Sequence, residues 1–428
     1  VPDAAYFPYW SILPFILMLL SMAILPVATP NLWNSNLNKT ILSLVISLPV
    51  LILVLGRQPQ LLGHSMLDYA SFIILLGALF VISGGIHIQG AWAGTPLMNT
   101  LYLAFGAVLA NLIGTTGASM LLIRPYMHAN QKRQRRTHLV IFFIFLVSNI
   151  AGLLTPLGDP PLFLGFLRGV PFFWTLRLFP QWIVAVGALL IIFNIFDQYI
   201  FNKEDVETPG ALTEDVQSRR MLILRGKRNF LCLLGVMMAA FFSGYFGWPR
   251  GIQESIMIAM ALISWFWTPR AVHKSNHFQF HPIAEVAALF LGIFITMVPA
   301  LQILNQQATV WNLHKPWQFF WLTGGLSSFL DNAPTYLTFA ALGTGTIGGS
   351  VENLGALLHS ALGESLLQAI SCGAVFMGAN TYIGNGPNLM VRSIAEHSGI
   401  KMPSFVGYMA YSASILIPLF IVITLIFF

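Results

Sequence analysis

The chain has 428 residues, 56% of them hydrophobic and only 8% charged, with a mean hydropathy of +0.75. A soluble domain carries about 25% charged residues, so the composition excludes a soluble globular protein and points to an integral membrane protein. The net charge of +6 sits mostly in loops, where it reports orientation rather than a nucleic-acid partner.

The chain begins at Val1 without a Met, as after loss of a signal peptide or a tag; the former would leave this end outside the cytoplasm. Apolar runs long enough to cross a bilayer follow at roughly 11–28, 40–56 and 68–86. The stretch 98–124 is apolar but interrupted by Gly114-Thr115-Thr116-Gly117. Arg124, Lys132, Arg133, Arg135 and Arg136 come next. Spans at 138–157 and 174–197 flank Gly158-Asp159-Pro160-Pro161.

The loop 201–228 is the long polar stretch, mixing Glu204, Asp205, Glu207, Glu214 and Asp215 with Lys203, Arg219, Arg220, Arg225, Lys227 and Arg228. It reads as a linker, with an amphipathic helix near 216–228. The positive-inside rule places both basic loops in the cytoplasm. Spans 229–246 and 251–268, linked near Arg250, return Arg270 and Lys274 to that side. A span at 284–303 precedes the stretch 316–345, which Asp331-Asn332-Ala333-Pro334 interrupts. The spans 355–383 and 404–427 close the chain, the former ending at Gly384-Asn385-Gly386-Pro387. Cys232 and Cys372 lie inside apolar segments, which argues against a disulfide framework.

These features fall into two similar series. Each has a span, an interrupted stretch and a span ending at a Gly/Pro break. Asp159 and Asn385 are 226 residues apart, and Thr115 and Asp331 are 216 apart. Turn residues near the middle of 98–124 and 316–345 favour re-entrant hairpins over single spans. Five full crossings then separate the two series, an odd number, which inverts one against the other. The expected fold is therefore an all-α integral membrane protein with about ten transmembrane helices and two re-entrant hairpins in inverted repeats. The expected divisions are N-terminal scaffold helices at 1–67, repeat 1 at 68–200, a linker with connecting helices at 201–283, and repeat 2 at 284–428. Inverted repeats with paired broken helices are a common plan of secondary transporters.

Three segments carry a family resemblance: S-N-I-A-G-L-L-T-P-L-G-D-P-P-L (148–162), L-D-N-A-P-T (330–335) and N-T-Y-I-G-N-G-P-N-L (380–389). The chain resembles the ion transporter superfamily of divalent-anion/sodium symporters, citrate transporters, arsenite pumps and D-type sodium/proton antiporters. In that resemblance Gly114 to Thr116 and Asp331 to Ala333 take the hairpin-tip positions, and Gly158 to Pro161 and Gly384 to Asn388 take the helix breaks. The resemblance implies a scaffold domain, a transport domain, a homodimer and an elevator-like motion. It also implies that the chain is not an enzyme and carries no cofactor beyond a transported or coupling sodium ion.

Asp159 and Asp331 depart from the symporter pattern, which uses neutral ligands. A carboxylate in a poorly hydrated pocket holds its proton closer to neutral pH. It then takes a proton or a hard cation, not both, and hard cations prefer oxygen ligands. Thr115, Thr116, Asn332, Asn385, Asn388 and carbonyls freed at Gly158 and Gly384 would complete sodium sites at Asp159 and Asp331. This favours sodium/proton antiport. The alternative is a sodium- or proton-coupled carboxylate carrier of citrate type, with Arg392 as anion partner; arsenite efflux is a lesser variant. An intramembrane aspartyl protease is a minor alternative, resting on Leu157-Gly158-Asp159, Pro299-Ala300-Leu301 and a reversed Asp68-Tyr69.

Each feature also has a plainer reading. Asp159 and Asp331 both precede prolines and suit helix N-caps. Asn385 and Asn388 suit turns, Thr115 and Thr116 suit back-bonding within a helix, and Arg392 suits snorkelling. Glu254, Glu285, Glu364 and His87 read as interfacial. His273, His277 and His281 have helical spacing for a metal but sit in a loop. Trp10, Trp33, Trp92, Trp248, Trp267, Trp311 and Trp317 read as interface anchors. No P-loop is present, so transport would not be driven by ATP on this chain. The expected location is a bacterial inner membrane, with both termini periplasmic.

Overall fold

The structure, a computed structural model, describes residues 7–29, 33, 35–89, 94–207, 223–249, 251–276, 278–311 and 313–428. Trp92, Arg219, Arg220, Glu214, Asp215, Arg250 and His277, and the side chains of Asp205 and Glu207, lie outside the described residues. Ten helices among the described residues are long and apolar enough to cross a membrane. One of these ten, Pro96–Ala129, is folded back on itself. The further apolar helix Ile252–Trp267 is shorter, at 16 residues.

The first hairpin is visible in its contacts. Asn99 and Asn130 exchange amide hydrogen bonds of 2.9 Å across 31 residues. A straight helix would hold them ~46 Å apart. The Tyr102 hydroxyl donates to the Leu122 carbonyl at 2.8 Å, and its ring stacks on Tyr126 at 5.2 Å. The fold-back falls at Gly114, whose φ of 79° and ψ of 154° leave helical space. A positive φ is cheap for glycine and costly for other residues. The second hairpin joins Pro316–Ser327 to Asn332–Thr346 through the turn at Asp331. The Phe319 ring lies 3.8 Å from the Cβ position of Gly343, closing its two arms.

The two series run in opposite directions. Along Pro59–Gly84 and His281–Trp311, contacts pass from Ser65 with Phe294 (2.6 Å), through Phe72 stacked on Phe290 (4.9 Å), to Gly77 against Ile283 (3.9 Å). One residue number rises while the other falls, so these matching helices are antiparallel. Likewise Thr137–Leu146 lies antiparallel to Gly386–His397, with Thr137 bonded to Lys401 and Asn149 to Asn388. Ile252–Trp267 runs beside Pro59–Gly84 in the same direction, with Glu254 at Ser71 and Thr268 at Gly85. Five crossings before His281–Trp311 produce this pattern.

Several helices extend past their apolar runs. Pro59–Gly84 begins at a proline in its first turn and passes through the boundary expected at 67/68. Phe179–Glu207 passes through 200/201, and His281–Trp311 through 283/284. The helix expected near 216–228 does not form where it is described. Ile223–Arg225 is instead a strand, antiparallel to His87–Gln89 with His87 opposite Arg225; residues 208–222 lie outside the described residues. The link is fixed by Asn229, whose amide donates to Gly85 O at 2.7 Å.

Several charged residues among the described ones are paired. Arg133, read from sequence as a loop cation, is buried; it donates to Asp197 (2.5 Å) and Glu204 (3.2 Å). His138 and Asn99 complete the shell of Asp197 at 2.8 and 3.0 Å. Lys39 pairs with Glu285 (2.7 Å), Arg168 with Asp68 (3.4 Å) and Arg177 with Glu364 (2.5 Å). His273 packs on Trp265 and Phe278, and no group of three or more His, Cys, Asp or Glu able to hold a metal forms among the described residues.

Candidate functional site

Both helix breaks have the same construction. After Thr137–Leu146 the chain tightens into a 3-10 turn, Ile150–Leu154, and restarts as a helix at Pro160–Leu167. Pro160 and Pro161 lack the N–H that a continuous helix requires, but suit a first turn. After Ala361–Met377 the turn is Gly378–Asn380 and the restart is Gly386–His397. The residues before the two restarts share backbone angles: Asp159 has φ −144° and ψ 143°, Asn385 has φ −151° and ψ 142°.

Glycine permits each crossover. A Cβ on Gly158 would lie 2.3 Å from the Gly152 carbonyl oxygen, and one on Gly384 2.6 Å from that of Gly378. Each break is tied to its hairpin by a threonine three residues N-terminal to the second of these glycines. Thr155 donates to Asn111 O at 2.5 Å, and Thr381 donates to Ser328 O. Asn111 and Ser328 each stand three residues before a tip, Gly114 or Asp331. The freed carbonyl of Gly158 accepts the Thr115 N–H at 2.8 Å.

The tips and breaks converge on Asp159. Its Oδ1 accepts from the Thr115 hydroxyl (2.8 Å) and the Asn385 amide (3.3 Å), and its Oδ2 accepts from the Asn332 amide (2.5 Å). Asp159, Thr115, Asn332 and Asn385 are all buried. Asp159 holds the N-cap position but makes no side-chain bond to its own helix; its carboxyl group is turned toward the other three elements. Three neutral donors around one carboxylate, with no salt-bridge partner among the described residues, form a shell that would accept a proton or small cation without displacing a fixed positive charge. The unpartnered Asn332 Oδ1, also buried, adds a neutral oxygen beside it.

Asp331 combines the two sequence readings. Its Oδ1 accepts the Ala333 N–H at 3.0 Å as an N-cap, and it also lines a cavity of about 500 Å³. Thr116, Asn385, Gly386 and Pro387 line the same cavity, which reaches Glu285, Trp33 and Ser393 toward the end carrying the basic loops. A smaller cavity of about 90 Å³ touches Thr115, Thr116, Gly158 and Asp159. Thr116 thus stands between the two. No second aspartate hydrogen-bonds to Asp159 or Asp331 among the described residues, so the paired carboxyls of an aspartyl protease are not formed there.

Asn388 is buried and links the repeats: its Oδ1 accepts the Asn149 amide at 2.7 Å, and its own amide donates to Gly378 O and Thr381 O at 2.9 Å each. Arg392 lies over the Tyr382 ring at 4.5 Å and pairs with Glu396 at 3.0 Å, and is not among the residues lining the 500 Å³ cavity. Two further residues of the 148–162 segment, Asn149 and Ser148, also belong to this network. Ser148 accepts the Asn385 amide on its carbonyl (3.1 Å) and shares a hydroxyl bond with Ser119 (2.8 Å). Their signal was a polar pair inside an apolar run, which lipid penalises without a partner.

A family model described as putative citrate transport matches residues 4–428. No curated protein matches the chain.

Proposed function

The chain belongs to the putative citrate transport family, within the ion transporter superfamily that its motifs resemble, and on that premise we propose that it is a cation-coupled secondary transporter of a small carboxylate. The observation that carries this reading is the 500 Å³ cavity ending at Asp331 and at the N-terminus of Gly386–His397. Its volume falls in the range of organic-ligand pockets, far larger than a bare ion needs. The half-helix presents its positive dipole end to an anion.

Asp331 supplies the coupling in this proposal. While ionised it repels a carboxylate; with a proton or sodium ion bound it does not. Substrate and cation then enter together, and each raises the other's affinity by the same factor. Asp159, behind Thr116, is the second cation or proton site. The cavity opens toward the basic loops, which the positive-inside rule makes cytoplasmic. Away from the basic loops, Arg168 pairs with Asp68 between a restarted helix and Pro59–Gly84, and in this reading the pair keeps that side closed. Alternation would break this contact, moving hairpins and breaks against the remaining helices, in an elevator-like homodimer with both termini periplasmic.

Sodium/proton antiport is the second reading. It is favoured by the carboxylates at Asp159 and Asp331 and by the absence of an unpaired cationic side chain among the described residues lining the cavity. Proteoliposomes distinguish the two. Uptake of a labelled carboxylate driven by a sodium or proton gradient supports the first, whereas sodium-driven proton release without any carboxylate supports the second.

A further inference from the structure

The 500 Å³ cavity has one polar end and largely apolar walls. Thr116, Asp331 and Asn385 form the polar end, and Phe80, Phe290 and Phe329 are prominent in the walls. Its other acidic residue, Glu285, is engaged by Lys39 at 2.7 Å. Among the described residues lining it there is no Lys, Arg or His. Arg392, next to the lining residue Ser393, is held by Tyr382 and Glu396.

This lining matches one negative charge, not three. Each carboxylate removed from water needs its own charged or multiply hydrogen-bonded partner. Cation or proton binding at Asp331 removes one repulsion, and the Thr116 hydroxyl and the half-helix N-terminus serve a single carboxylate, since the Asn385 amide is already given to Asp159 and Ser148. Two further carboxylates would face aromatic and aliphatic walls. Those walls suit an apolar body, which gains from the same burial that a charged group resists. We infer that the cavity selects a monocarboxylate with an aryl or branched aliphatic body over a tricarboxylate; the inference rests on the carboxylate-transporter reading.

The test uses the full chain in liposomes under an inward sodium gradient at equal pH, with uptake into protein-free liposomes subtracted, offered labelled phenylacetate, citrate, or citrate with magnesium. The magnesium arm neutralises most of the citrate charge and so separates net charge from body polarity. Phenylacetate uptake about tenfold above citrate in either form is expected, falling about tenfold in Phe329→Ser, on the scale by which hydrophobic pockets discriminate. Phe329 is 44% exposed, and a melting curve on the variant checks that it folds. Faster uptake of citrate, free or with magnesium, overturns the inference and leaves the transporter reading standing. Unchanged phenylacetate uptake in Phe329→Ser also overturns it. No uptake of any of the three, with intact sodium-driven proton flux, overturns both.

Discussion

Asp159 and Asn385 occupy equivalent positions in the two repeats and touch each other: the Asn385 amide donates to Asp159 Oδ1 at 3.3 Å. The same 226-residue offset relates Gly152 to Gly378, Thr155 to Thr381 and Gly158 to Gly384. The pseudo-symmetry axis therefore passes close to the site, and the symmetry is broken there by one charge. A carboxylate stands in one repeat and a neutral amide in the other.

That asymmetry gives the first prediction. Asp159→Asn removes the charge and turns an amide N–H toward groups that already donate. Coupled uptake should fall about 100- to 2,000-fold, the cost of losing two to three charge-assisted hydrogen bonds at about 1.5 kcal/mol each, while the protein remains monodisperse in detergent. Uptake at the wild-type rate would remove Asp159 from the mechanism.

The glycines of the breaks should separate cleanly. Gly158→Ala and Gly384→Ala push a methyl into backbone atoms, at 2.3 Å from Gly152 O and 2.6 Å from Gly378 O. Backbone cannot yield as a side chain does, so each should lose about 1–3 kcal/mol or more. Gly386→Ala meets nothing within 4 Å and should stay within about 0.5 kcal/mol of wild type. Thermal melting by size-exclusion signal ranks the three, and equal losses would refute the crossover geometry.

The Arg168–Asp68 contact should bias the direction in which the site faces. Both side chains are about 10% exposed, so Asp68→Asn leaves a largely buried guanidinium without that charge. The state open toward the basic loops should lose population. A Ser393→Cys reporter in the cavity should then react several-fold more slowly with an impermeant maleimide from that side, a shift of about 1 kcal/mol. Native Cys232 and Cys372 are buried. Unchanged labelling would mean the pair does not discriminate between states.

The Arg133 cluster should behave as structure. Asp197→Asn unbalances a buried network that ties the base of the first hairpin to Phe179–Glu207. A loss of about 3–5 kcal/mol is expected, with substrate affinity unchanged in whatever protein remains folded. Binding to purified variant against its melting temperature separates the two effects.

Some of this could be read from sequence, for physical reasons. Hydropathy located the spans because lipid exposure is a local demand, and Gly114 and Asp331 marked the hairpin tips because a turn needs particular local residues. Asp159 was legible because an intramembrane carboxylate is costly wherever it sits. Its partners were only partly so: that Thr115, Asn332 and Asn385 meet one carboxyl group depends on how the elements pack. The burial of Arg133 was illegible for the same reason. A cation beside other cations reads as a solvated loop until Asp197 and Glu204, more than sixty residues away, are brought to it. The role of Asn149 is illegible in the sequence because its partner, Asn388, lies 239 residues on. The strand at Ile223–Arg225 was missed because its pairing with His87–Gln89 is long-range while its charge pattern suits a helix.

The most direct test is solute flux in liposomes carrying wild type or Asp331→Asn. With wild type, an imposed sodium or proton gradient should drive labelled carboxylate uphill, and with Asp331→Asn the same carboxylate should only equilibrate, its uptake indifferent to the gradient. Cation-driven proton flux in wild type with no carboxylate movement, or uphill uptake undiminished in Asp331→Asn, would contradict the account.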